Sequence, residues 1–174
     1  MTNGWSLSLL AVGAIGQPSA PEQPVTTFAS APSTCAVLQA AYTTAVNRTA
    51  PAYPPDIRAS NRDLVKIGLI EPPYRARMEL TEDESTDLAA QQDVYDDKTF
   101  KPSCKWSGQR GPDVDDEGHP AFVTFTSPVF SKDRHLALVE VSFREEGIFG
   151  YGFLCTTRFL NHAWSARCLP SWIS

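Results

Sequence analysis

Apolar and polar positions alternate with period two through most of the last fifty residues, the spacing of strands half-buried against a core. The pattern breaks at Asn161-His162, a two-residue turn. A hairpin centred there pairs residues whose numbers sum to 323. Leu160 and Ala163 then form the hydrogen-bonded pair beside the turn, Phe159 faces Trp164, and Cys155 faces Cys168 at a non-hydrogen-bonded site. Cα atoms approach to about 4.5 Å at such a site, within the reach of a disulfide. Cys155, Thr157 and Phe159 share one face with Trp164, Ala166 and Cys168.

The preceding strands are expected to join through Glu145-Glu146-Gly147, a three-residue loop closed by a glycine. That loop pairs Phe143 with Phe149, Val141 with Tyr151 and Val139 with Phe153, all six on one apolar face. Residues 122–130, rich in β-branched and aromatic side chains, form the strand before them, and Pro128 near its end suits an edge or strand end. Four antiparallel strands in a meander result. The opposite face carries Leu136, Leu138, Glu140, Ser142 and Arg144 beside Ile148, Gly150, Gly152 and Leu154.

Helical spacing appears earlier. Val37, Leu38, Ala41, Tyr42, Ala45 and Val46 predict a helix capped by Ser33 or Thr34, ending near Asn47 and packed on the sheet. Pro51, Pro54 and Pro55 end it. Leu64, Ile67, Leu69 and Ile70 suggest a helical turn and a strand before Pro72-Pro73, and Thr81 with Glu84 forms a capping box for a polar helix reaching about Gln92. Cys104, Lys105 and Trp106 anchor an extended segment, and residues 108–118 form an acidic loop. The fold class is α+β, a C-terminal four-stranded meander with an N-terminal helix against it.

The start of the chain bears on compartment. Residues 5–16 are apolar and almost uncharged, too short to span a bilayer, and small residues then prolines follow, as in a secretory signal. Residues 1–20 are assigned to a signal peptide, 21–32 to a disordered Pro/Ala/Ser linker and 33–174 to one domain. Four cysteines fit an oxidising compartment, periplasmic or secreted. With Cys155 and Cys168 opposed, Cys35 and Cys104 form the second bridge by elimination. No C-x-x-C spacing points to zinc, and no cofactor is implied. A net charge of −5 and a pI near 5.1 argue against nucleic acid as a partner. No segment is long and apolar enough to span a membrane, and oligomeric state is left open.

Several groups could carry chemistry. Asp113, Asp115 and Glu117 before Gly118 imitate the first half of a calcium loop, but its twelfth position is Thr124 where a bidentate Glu is needed, so a solvated acidic loop is the better account. His119, His135 and His162 fall at loops or strand ends without ligand spacing. Ser131, Asp133 and His135 resemble a hydrolytic trio in composition, although residues adjacent along one loop rarely reach that geometry. Glu140 interrupts an apolar run opposite two glycines that leave room on the sheet. Either the N-terminal helix fills that room, or the face is hydrated, or Glu140, Arg144, Gly150, Gly152 and Arg158 line a shallow binding face. No catalytic motif is present.

Phe125, Pro128, Phe130, Ser131 and Asp133, then Ala137-Leu138-Val139, then Gly150-Tyr151-Gly152, Trp164 and the final Trp172-Ile173-Ser174 follow one order. This resembles a C-terminal pattern, "pvFskD-ALV-GxG-W-WIS", of small exported bacterial proteins of unknown function. The resemblance covers about the last fifty residues and implies fold and export, with no catalytic residue to carry over. The expected function is a non-catalytic exported domain that binds a protein or envelope component, in an inhibitor-like or immunity-like role. The alternative is a small periplasmic or secreted hydrolase whose active site follows no motif.

Overall fold

The computed structural model describes residues 1, 26–112, 121–145 and 149–174. The signal-like segment, the acidic loop at 113–118, His119 and the turn residues 146–148 lie outside them. Within the stretch read as linker, Thr26–Ala29 forms a helical turn (α1), and α2 begins at Pro32 and runs to Ala45. Neither Ser33 nor Thr34 caps α2. Ala31 precedes it and Pro32 occupies its first turn, where a missing N–H leaves nothing unsatisfied, while Thr34 is buried.

Fully buried Val37, Leu38, Ala41 and Tyr42 set α2 against one sheet face, in a core with Phe125, Val139, Val141 and Cys155. Each such aliphatic side chain contributes about 1.5–3 kcal/mol by leaving water, and burial pushes the Tyr42 hydroxyl up to about 12. A disulfide joins Cys35 of α2 to Cys104, closing a separation of 69 residues. A loop of that length loses about 4 kcal/mol of unfolded-chain freedom. Trp106, in the extended segment that Cys104 anchors, stacks on Phe125. Beside it β1 (Ala52–Tyr53) pairs in parallel with β2 (Gln109–Arg110), a two-residue ladder with no period in the sequence to announce it.

The main sheet contains β3 (Ala121–Phe125), β4 (Val129–Phe130), β5 (Leu136–Glu145), β6 (Gly150–Leu160) and β7 (Ala163–Ile173) in the order β3-β5-β6-β7. The expected strand at 122–130 is interrupted before Pro128, and its two parts pair successively along β5. Between them Thr126 donates its N–H to the Glu140 carbonyl and accepts the Glu140 N–H on its hydroxyl. Asn161 and His162 turn β6 into β7 with φ of 51° and 63°, the left-handed pair a type I′ turn requires. Leu160, Phe159 and Cys155 face Ala163, Trp164 and Cys168, and the last pair is disulfide-bonded.

The β5–β6 register differs from expectation. Phe143 pairs with Tyr151, Val141 with Phe153 and Val139 with Cys155, so Phe149 belongs to the connection and is half exposed. The loop is longer than the three residues read from Gly147. Because the slip is two residues, the side chains that remain in the strands keep their faces, and Phe149 alone of the six leaves the apolar face.

The other face receives a 3₁₀ turn (Ile67–Leu69), α3 (Pro72–Arg77) and α4 (Glu82–Tyr95). No ladder strand forms at 64–70, and Pro72-Pro73 open a helix rather than closing a strand. Leu64, Ile67, Met78, Leu80 and Leu88 pack there on Leu136, Leu138 and Leu154. Strand side chains cap the end of α3: the carbonyls of Arg77, Met78 and Glu79 accept from Arg167 Nε at 2.6 Å, Thr156 Oγ1 at 3.0 Å and Arg158 Nη2 at 2.5 Å. Thr81 and Glu84 form the expected capping box of α4. Among the described residues no helix is long and apolar enough to cross a membrane.

Glu84 also grips Arg158 with both oxygens, at 2.5 and 3.0 Å, fastening α4 to β6. That hydrogen-bonded pairing holds its carboxyl down at about 2. A carboxyl depressed in the folded chain stabilises it above the unfolded value near 4.3, and this is lost as pH falls through the folded value. Glu84→Gln, which preserves the capping box, is therefore expected to lose about 1–2 kcal/mol at pH 7, a figure discounted for partial exposure. Urea denaturation across pH should show the gap from wild type closing between about pH 5 and pH 2. A pH-independent gap would mean the charge contributes nothing.

Candidate functional site

Pro170 and a bulge determine the far end of the sheet. Up to Phe153–Pro170 the hairpin keeps the register set at its turn, but Gly152 then pairs with Trp172 and Tyr151 with Ile173. The one-residue shift moves Trp172 to the opposite face from the one it would otherwise occupy. β7 is an edge strand, so proline's missing N–H breaks no ladder bond. The Pro170 carbonyl accepts the Tyr74 hydroxyl of α3 at 2.9 Å. Burial raises that hydroxyl above its ordinary value.

The indole of Trp172 lies in the space over the two glycines. A Cβ on Gly152 would fall 2.0 Å from Trp172 Nε1, and one on Gly150 would fall 3.1 Å from the far edge of the ring. The indole N–H donates to Glu140 Oε1 at 2.9 Å, and Ser142 Oγ donates to the same oxygen at 3.2 Å. Glu140, only 5% exposed, is thus a buried acceptor that fixes the ring. The room anticipated beside Glu140 is filled from β7, while α2 packs on the opposite face.

The other candidate residues are dispersed. Arg158 is held by Glu84 and the Glu79 carbonyl. Arg144 lies against the Trp172 ring at 4.9 Å. Five residues of strand, about 17 Å, separate Glu140 from His135. Ser131 Oγ donates to Asp133 Oδ1 at 2.6 Å and accepts the Leu136 N–H, Asp133 also accepts the His135 N–H, and the His135 ring lies 3.6 Å from Asp133. The Ser131 bond and the His135 amide hold the Asp133 carboxyl below its ordinary value. Asp133 sits between serine and histidine, the order of a stapled turn; a nucleophilic relay needs histidine in the middle. His162 stands exposed in the β6–β7 turn.

A concave surface lies where no motif marked one. A cleft of about 240 Å³ is lined by Phe28, Val94, Tyr95, Asp96, Asp97, Phe100 and Ser127. Phe28 meets Tyr95 edge to face at 5.4 Å. Its helix α1 is fastened by the Ser103 N–H to the Ala29 carbonyl, next to the Cys35–Cys104 bond. Asp96 and Asp97 follow the last turn of α4 on the rim, and Asp97 Oδ1 accepts from the Thr99 amide and hydroxyl. A separate, smaller pocket lined by Arg62, Asp63 and Gln92 shares Tyr95, Asp96, Asp97 and Ser127 with it. These residues come from four separate segments, so only Phe28, in a stretch read as linker, offered an anomaly in the sequence.

Compared with protein-family models, curated proteins and solved structures, the chain has no match.

The Trp172 notch yields a direct test. Gly152→Ala must displace the indole and leave a buried carboxylate without its indole donor, so a loss of about 3 kcal/mol is expected in chemical denaturation, with an altered near-ultraviolet tryptophan signal. A near-neutral substitution would show that the ring does not occupy the notch.

Proposed function

We propose that this chain is an exported binding domain whose cleft receives a lysine or arginine side chain, with an apolar neighbour, from a protein partner. The observation that carries this reading is the cleft of about 240 Å³, with aromatic walls from Phe28 and Tyr95 over buried Phe100 and carboxylates of Asp96 and Asp97 on its rim. Aromatic faces attract a cation and cover its aliphatic stem, and carboxylates select its charge. An acidic chain of net charge −5 adds steering towards a basic partner. Blocking a basic surface of a hydrolase, as an inhibitor or immunity protein does, fits this chemistry. Export is supported by the two disulfides together with the apolar run at 5–16.

A photo-crosslinking residue in place of Val94, which is 63% exposed on the cleft wall, reads out the occupant in producing cells. The expected product is a crosslink to another protein at a segment containing lysine or arginine beside an apolar residue, reduced several-fold by Asp96→Asn with Asp97→Asn. Crosslinking to residues 1–25 of this same chain, or yields equal to those from exposed Leu160 on the far hairpin, would overturn the binding reading.

Export has its own check in the amino terminus of the protein recovered from a periplasmic or culture fraction. Loss of residues 1–16 or 1–20 is expected, and an intact Met1 there would refute signal cleavage.

A further inference from the structure

The segment between β1 and the 3₁₀ turn crosses the glycine face and leaves two guanidiniums against one indole. Arg58 N–H donates to the Val123 carbonyl and Ser60 N–H to the Phe100 carbonyl, and the Ser60 hydroxyl accepts the Arg62 N–H. The backbone is thereby fixed where Arg62 projects over Trp172, its guanidinium carbon 4.2 Å from the ring centroid. Arg144 reaches the same ring from β5 at 4.9 Å. The two guanidinium carbons cannot be farther apart than the sum of those distances. Each guanidinium presents N–H groups from which an oxygen of one phosphate or carboxylate can accept at about 2.8 Å.

These two arginines differ from the others nearby. Arg158 is paired with Glu84, Arg167 with Glu79 and Arg58 with Asp56. Among the described residues neither Arg62 nor Arg144 forms an ion pair. The Arg144 Nε is buried without a hydrogen-bond partner, a cost that native structures seldom leave standing. No neighbouring carboxylate accepts from it: Glu140 Oε1 accepts from Trp172 and Ser142, and Asp63, beside Arg62, pairs with Lys98 at 3.2 Å. Two guanidiniums gathered on one ring, one with an orphaned N–H, offer charge-assisted donors to an oxyanion.

We propose that Arg62 and Arg144, held on Trp172, bind an oxyanion group, phosphate or carboxylate, of a ligand. Cation–π contact holds both cations on the ring, and the notch over Gly152 with the Glu140 bond keeps the indole from yielding.

The test is NMR of the full chain, following the Trp172 indole N–H and the Arg144 Nε–H during separate titrations with inorganic phosphate and with succinate. Saturable shifts at both groups are expected from at least one anion, with half-saturation below about 1 mM, and the stronger anion identifies the ligand's acidic group. Arg62→Gln and Arg144→Gln should each weaken binding at least tenfold, whereas Arg48→Gln, an equal loss of charge on α2's side of the sheet, should leave it unchanged. Arg62 is exposed and outside the sheet, so Arg62→Gln decides alone if Arg144→Gln fails to fold. Shifts that stay linear to 20 mM with both anions, or equal affinity in Arg62→Gln, would overturn the site.

Discussion

The register of the β6–β7 hairpin, and its single break, is the constraint on which the rest of the structure depends. Asn161 and His162 supply consecutive left-handed residues and the Cys155–Cys168 bond clamps the ladder, so side-chain parity is fixed along most of both strands. That parity sends Cys155 and Phe153 to the α2 core and Thr156 and Arg158 to the face where α3 and α4 dock. At Pro170 the parity reverses. Without the bulge Trp172 would pair with Tyr151 in the α2 core; with it the ring enters the glycine notch and reaches Glu140.

The two sheet faces are consequently held by different physics. On α2's side, burial of aliphatic and aromatic surface dominates, which is non-directional and tolerant of small shifts. On the other side a leucine-rich cluster is framed by directed bonds: three successive carbonyls at the end of α3 accept from three strand side chains, and Glu84 caps α4 while gripping Arg158. Directed bonds fail when one partner moves. Short helices such as α3, six residues long, have little stability of their own and need such anchoring.

What could be read from the sequence divides along the same line. Period-two alternation and the Asn161-His162 turn carried the meander and the Cys155–Cys168 register, because strand faces depend only on parity. Parity also explains why the two-residue error in β5–β6 left the strand residues on their expected face, Phe149 excepted because it falls in the connection. The site was less legible. Gly150 and Gly152 announced a space, but its occupant comes from twenty residues further on, past a bulge that only Pro170 within a strand hinted at. The α3 helix was hidden because Pro72-Pro73 can end one element or begin another. The cleft was invisible because Phe28, Tyr95, Phe100 and Ser127 share no spacing, and helix ends and loops alone bring them together.

The disulfide across 69 residues connects that cleft to the chemical environment of the chain. α1 consists of four residues, too few to hold a helix in water, and the Ala29–Ser103 bond fixes its position. Cys35 and Cys104 lie next to the two ends of this contact, so their bond holds α2 and the 103–104 segment together and keeps Phe28 beside Tyr95. A reducing environment removes that link and leaves the wall to the Ala29–Ser103 hydrogen bond, worth about 1 kcal/mol, the Phe28–Tyr95 contact of similar size and the packing of Ala29 on the core. The bridge therefore reinforces an aromatic wall that the packing of Ala29 on the main core and the continuity of α1 with α2 already place.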